Sequence, residues 1–228
     1  MTSPPWMAKH TVRGFDRLVN FTDAVVAIAI TLLILPVIDL IGDAVPSMPP
    51  TAVEESSGFL SFWNASASNL LAFLFTFLLM CWFWWQHHRL FERLKDYSTP
   101  LLCLAFLWLL GMVFLAFPSG LVGEYAGTRD PASPHIEHHH FTSLFLLTMA
   151  WICLMTACIA FYARRHPQLL VSEAAGIGLK FQGTLNMIWC FWYLLIGVLA
   201  IRWGAQALFL TAGMFLPPVL LKRHARRT

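Results

Sequence analysis

From Ala24 to Ile38 the chain runs AVVAIAITLLILPVI, with Thr31 as its only polar side chain. Ionisable residues punctuate this run: Arg17 and Asp23 before it, Asp39 directly after it. A helix rises ~1.5 Å per residue and a hydrocarbon core is ~30 Å thick, so a helix over Arg17–Asp39 can cross a bilayer. A carboxylate such as Asp23, inside the end of such a span, is costly unless paired or solvated, and is therefore a candidate functional group. This stretch decides the solvent in which the chain folds.

Five more apolar runs follow the first, which covers about Leu18 to Ile38: Ser66 to Trp85, Pro100 to Val122, Phe141 to Tyr162, Phe181 to Ile201 and Trp203 to Leu221. Each suits a spanning helix and is too long for a barrel strand. Hydrophobic residues make up 58% of the chain and charged ones 12%, against ~45–50% and ~25% in soluble domains, so these runs cannot be hidden in one small aqueous core. The expected fold is an all-α integral membrane protein with six transmembrane helices. Trp85, Tyr125, Tyr162 and Trp203 fall near span ends, as interfacial anchors do. Only Arg202 and Gly204 separate the last two runs, which predicts a tight hairpin there.

Charge gives the orientation. The N-terminal arm with Arg17, the 2–3 loop, the 4–5 loop and the C-terminal tail hold every Lys and Arg except Arg129 and Arg202. Asp39, Asp43, Glu54, Glu55, Glu124, Asp130 and Glu137 lie on the opposite side. Basic residues concentrate in the cytoplasm, so both termini are expected there, in a multi-pass protein of the plasma membrane. The division is a cytoplasmic arm over 1–16, a six-helix transmembrane domain over 17–221 and a basic cytoplasmic tail over 222–228. No cleavable signal peptide is expected, because the first apolar run is a full span followed by acidic residues. The net charge of +3 is small and dispersed, which gives no footprint for nucleic acid.

Other chemistry is sparse. The five cysteines sit in apolar stretches without zinc-ligand spacing and read as small hydrophobes. His135 and His138-His139-His140 are expected in a loop, solvated, with metal binding or pH sensing as the alternative role. No arrangement of nucleophile, base and acid points to an enzyme, and no metal or cofactor site is expected.

On a helical wheel advancing ~100° per residue from Ile28, Leu32 falls near 40°, Leu35 near −20°, Thr31 near −60° and Asp39 near 20°. Asp23 falls near −140°, away from this stripe. If copies of the stripe meet around an axis, they form an apolar neck with a hydroxyl layer and an acidic outer mouth; such necks gate by dewetting, and carboxylate rings concentrate cations. The same stripe could equally face lipid or the core of the subunit. At the inner end, Arg17, Phe21, Thr22 and Asp23 lie at a depth similar to Trp84, Gln86, His87, His88 and Arg89 of the second run, which permits a structural clamp or a proton relay.

The sequence Arg17-x-x-x-Phe21-Thr22-Asp23 followed by AVVAIAITLLIL resembles the first-helix signature of the endolysosomal potassium channel family, usually R-x-x-x-F-S-D. Trp84, His87, His88 and Arg89 resemble its second motif, and Thr22 in place of Ser keeps the hydroxyl. The resemblance implies a single six-helix repeat assembling as a homotetramer, with the first helix lining a central pore and no carbonyl-type selectivity filter. It implies that Ile28, Leu32 and Leu35 form the constriction, with Thr31 as the hydroxyl layer tied to potassium preference. It also implies that Arg17, Phe21, Thr22 and Asp23 bind the pore helix to its own subunit through Trp84 and His87. The expected function is a potassium-permeable cation channel, whose partners are its own copies, the lipid bilayer and K+, other monovalent cations or protons. The competing expectations are a proton-conducting or proton-coupled transporter using Asp23 and His87, and a non-conducting scaffold or sensor.

Overall fold

A computed structural model describes residues 12–38, 55–127 and 135–215. Six α-helices follow in chain order: α1 (Val12–Leu32), α2 (Glu55–Phe91), α3 (Thr99–Phe114), α4 (Ala116–Gly127), α5 (His135–Arg165) and α6 (Glu173–Trp203). Two 3-10 segments, Pro167–Leu169 and Gly204–Phe215, lie before and after α6. Among the described residues, five stretches are long and apolar enough to cross a membrane: Gly14–Ile38, Asn69–Phe91, Thr99–Gly123, His139–Arg165 and Glu173–Trp203. The described residues thus form a helical, multi-pass fold. The described part of the expected sixth span is the 3-10 segment Gly204–Phe215, and residues 216–221 lie outside the described set, as do Asp39 and the terminal tail.

Two spans are broken by proline. Pro36 has no N–H for the Leu32 carbonyl, and its ring crowds that oxygen. Accordingly α1 ends at Leu32, passes through i→i+3 bonds from Leu33 to Ile30 and from Ile34 to Thr31, and resumes over 35–38. Pro118 stands in the same relation to Phe114, where α3 stops and α4 begins one residue later. The broken segments meet: a Cβ on Gly120 would lie 3.1 Å from the Pro36 ring. A buried hydrogen bond between Thr76 and Ser119, 2.6 Å, ties α2 to α4 beside this contact.

The helices run further than apolarity suggests. α2 begins at Glu55, well before the apolar run expected from Ser66, and α6 begins at Glu173 rather than near Phe181. His138-His139-His140 belong to the first turns of α5, not to a solvated loop. A ring nitrogen of His139, Nδ1, lies 3.1 Å from the Ile201 carbonyl near the end of α6. That end turns at Gly204, whose φ of 56° is left-handed, and a Cβ there would sit 2.5 Å from the His139 ring. The tight turn expected after Arg202 is therefore present. At its other end α6 is capped by Ser172, which accepts from the Ala175 N–H.

The core lies along the antiparallel α5–α6 pair, with α2 and α3 packed on it. Trp108, Met112, Met149, Ile152 and Tyr193 are fully buried. On the basic side the 92–98 and 166–172 loops are joined by a bridge between Leu94 and Leu170. Arg93 there donates to Gln182 at 2.6 Å, and Gln182 donates to the Gln86 carbonyl at 2.7 Å. Burial, reinforced by neighbouring Arg89 and opposed by Glu92, lowers the pKa of this guanidinium. In the apolar window of α1 only 22% of residues are buried, against 67% in that of α5, so α1 is peripheral within one subunit.

Candidate functional site

Helix α1 has two opposite faces. Leu18, Thr22, Val26, Ala29 and Leu33 recur at spacings of three or four and are buried against the subunit. Ile28, Leu32 and Leu35, at 58%, 44% and 49% exposure, form a stripe on the other side together with exposed Thr31. This is the stripe marked from the sequence, and it is turned away from the subunit's own core. The Thr31 hydroxyl donates to the Ile28 carbonyl, 2.7 Å, which leaves its oxygen lone pairs free to accept. Beyond Leu32 the helix is interrupted by a turn at 33–34, so Leu35 stands on a separate helical turn.

The N-terminal half of α1 is tied to α2 by Asp23. Trp84 donates its indole N–H to the Asp23 carboxylate at 2.8 Å. His88, one turn on from Trp84 and stacked on its ring, stands 3.9 Å from the other carboxylate oxygen. On its far side His88 lies 3.7 Å from Glu92. An imidazole thus stands between two carboxylates, one from the first helix and one from beyond the end of the second.

The remaining motif residues do other things. His87 is buried and stacks between Phe91 and Trp108, with ring centroids 4.3 and 3.9 Å away, so it is not brought to Asp23. Its Nε2 has no hydrogen-bond partner among the described residues. Thr22 bonds the Leu18 and Val19 carbonyls of its own helix. Phe21 is exposed and meets Phe106 of α3 edge-on at 6.1 Å. Arg17 is exposed with no carboxylate at ion-pair distance among the described residues, on the side of α1 that carries Phe21 and Ile28. Of the expected clamp, then, Asp23 and Trp84 are joined, Phe21 touches α3, and His88 occupies the place given to His87.

The sequence signal for this exchange was available. Met80, Phe83, His87 and Leu90 recur at spacings of three and four on the buried face of α2, so His87 shares the core face. Trp84 and His88 are four apart and share another face. Among the described residues no group of three or more His, Cys, Asp or Glu could hold a metal ion.

Residues 17–116 match the family model described as endosomal/lysosomal potassium channel TMEM175. A potassium channel of Chamaesiphon minutus is 31% identical over 48% of this chain and 49% of its own length. The endosomal/lysosomal proton channel TMEM175 of Mus musculus is 30% identical over 56% of this chain and 24% of its own. A potassium channel of Streptomyces collinus is 27% identical over 59% and 58%, so the matches span about half or less of these relatives. In fold, the crystal structure of a lysosomal potassium-selective channel TMEM175 homolog from Chamaesiphon minutus aligns with TM-score 0.54 at 22% identity, covering 88% of this chain and 97% of that one. The potassium channel MtTMEM175, solved as a single-residue variant in complex with a nanobody fusion protein, aligns with TM-score 0.60 at 16% identity over 99% and 97%.

Proposed function

We propose that this chain, whose residues 17–116 belong to the TMEM175 family, is the subunit of a homotetrameric, potassium-permeable cation channel in the plasma membrane. Four α1 helices surround the axis, with both termini cytoplasmic and residues 17–221 forming one six-helix transmembrane domain. The observation that carries this reading is the two-faced α1, with one side packed on its subunit and Ile28, Thr31, Leu32 and Leu35 left uncovered. Ile28 is the narrowest ring, and Leu32 and Leu35 continue the dry section outward. The free lone pairs of Thr31 replace part of the hydration of a passing K+, and Asp39 gathers cations at the outer mouth. No carbonyl cage takes part, and permeation is down the electrochemical gradient.

Replacing Ile28 with Asn wets the neck. In planar bilayers the variant should conduct more than the parent and discriminate less between K+ and Na+. Unaltered conductance and selectivity would refute the assignment of Ile28 to the axis.

A second reading, proton conduction, is favoured by His88 standing between Asp23 and Glu92. It uses His88 where the sequence pointed to His87. Reversal potentials separate the two: they follow an imposed K+ gradient in the first case and an imposed pH gradient in the second.

A further inference from the structure

We propose that a groove at the basic end of the α5–α6 pair binds the headgroup of an anionic phospholipid, whether or not the pore conducts. The groove measures about 530 Å³ and is lined by Phe161, Arg164 and Arg165. That volume lies within the ~300–1,000 Å³ of small-molecule sites. Both guanidiniums are exposed, and among the described residues neither has a carboxylate at ion-pair distance. Two fork-shaped donors side by side, without a protein anion, match the oxygens of a phosphate.

Phe161 makes the ligand a lipid rather than a dissolved ion. Its half-buried ring lies against α6 where Gly183 has no side chain; a Cβ there would come within 3.0 Å of the ring. The ring belongs to the span His139–Arg165, whose last residues are the two arginines. An aromatic wall on the hydrocarbon side and cations on the aqueous side match the polarity of a phospholipid. The exposed Lys180 adds charge at the same end, because α6 is antiparallel and Lys180 lies about one turn from Gly183 in the direction of Arg164. An arginine near an anionic lipid surface contributes ~1 kcal/mol, which is about a five-fold change in affinity.

The test is native mass spectrometry of the purified full chain, titrated with phosphatidylglycerol or with phosphatidylcholine of the same acyl chains. The parent should retain phosphatidylglycerol preferentially. The Arg164→Gln/Arg165→Gln variant should bind it about 25-fold more weakly, whereas Arg164→Lys/Arg165→Lys keeps most of the affinity. Arg89→Gln/Lys95→Gln removes the same charge from residues that do not line the groove and should leave binding unchanged. Equal loss in both glutamine variants would reduce the effect to general surface charge and overturn the site. Equal retention of the two lipids by the parent would overturn it without any variant, and full displacement by millimolar inorganic phosphate would make it a site for a soluble anion instead.

Discussion

Trp84 donates to Asp23 across the contact between the first two spans, and a hydrogen bond to a charged acceptor contributes ~1.5–3 kcal/mol. Trp84→Phe, which keeps a ring to stack on His88, should therefore lower stability by about 1–2 kcal/mol at this half-exposed site. The loss would be seen as a lower midpoint for disappearance of the monodisperse peak after heating in detergent. Asp23→Asn keeps an oxygen acceptor and should lose less; a loss as large as that of Trp84→Phe would show that charge, not the indole bond, holds α1. His87 gives the opposite expectation. Its ring fills an aromatic sandwich while Nε2 goes unpaired, so His87→Phe should stay within about 1 kcal/mol of the parent in the same melt. A collapse of that variant would assign the imidazole a polar task that its surroundings do not reveal. The sequence named Trp84 and His87 as partners of the first helix, whereas the structure puts Trp84 and His88 beside Asp23 and His87 in the core. Depth in the membrane was legible from hydropathy, whereas the face each ring occupies depended on the buried period of α2.

Between elements, close approach is set by glycine. A Cβ on Gly111 of α3 would lie 2.7 Å from Trp151 and 2.9 Å from Ile152 of α5, whereas one on Gly197 of α6 would meet Leu147 at an ordinary 3.5 Å. Gly111→Ala should cost about 1–3 kcal/mol in the thermal melt through overpacking, and Gly197→Ala should be tolerated. Equal tolerance at both would mean that the α3–α5 crossing is looser than described. Helix existence was legible for the first five runs, because stretches of twenty apolar residues have few alternatives in a bilayer, while the described part of the sixth is 3-10. Helix ends were not: α2 and α5 begin with polar turns at Glu55 and His135 that hydropathy does not mark. The helix ends at Leu32 and Phe114 follow from Pro36 and Pro118, each four residues further on.

For the whole molecule, the uneven share of burial is the informative quantity. A helix with 22% of its apolar window covered, and a carboxylate fastened to its own subunit, has a face left for lipid or for copies of itself. The proposed tetramer chooses the second. Ile28→Cys should then give cross-linked dimers on mild oxidation, above the background of the unsubstituted chain on a non-reducing gel, since narrow necks bring equivalent residues within disulfide reach. A lipid-facing Ile28 would give none. The number of copies was not legible in one chain, because an apolar surface reads alike whether acyl chains or sister helices cover it.

The ring of Pro36 fills the space that a side chain on Gly120 would need, so the last described turn of the first span rests on the second half of the third. That turn is therefore held from outside its own helix, apart from the tie between Asp23 and Trp84. A tilt of the third span would carry that turn with it while Asp23 keeps its partner on the second.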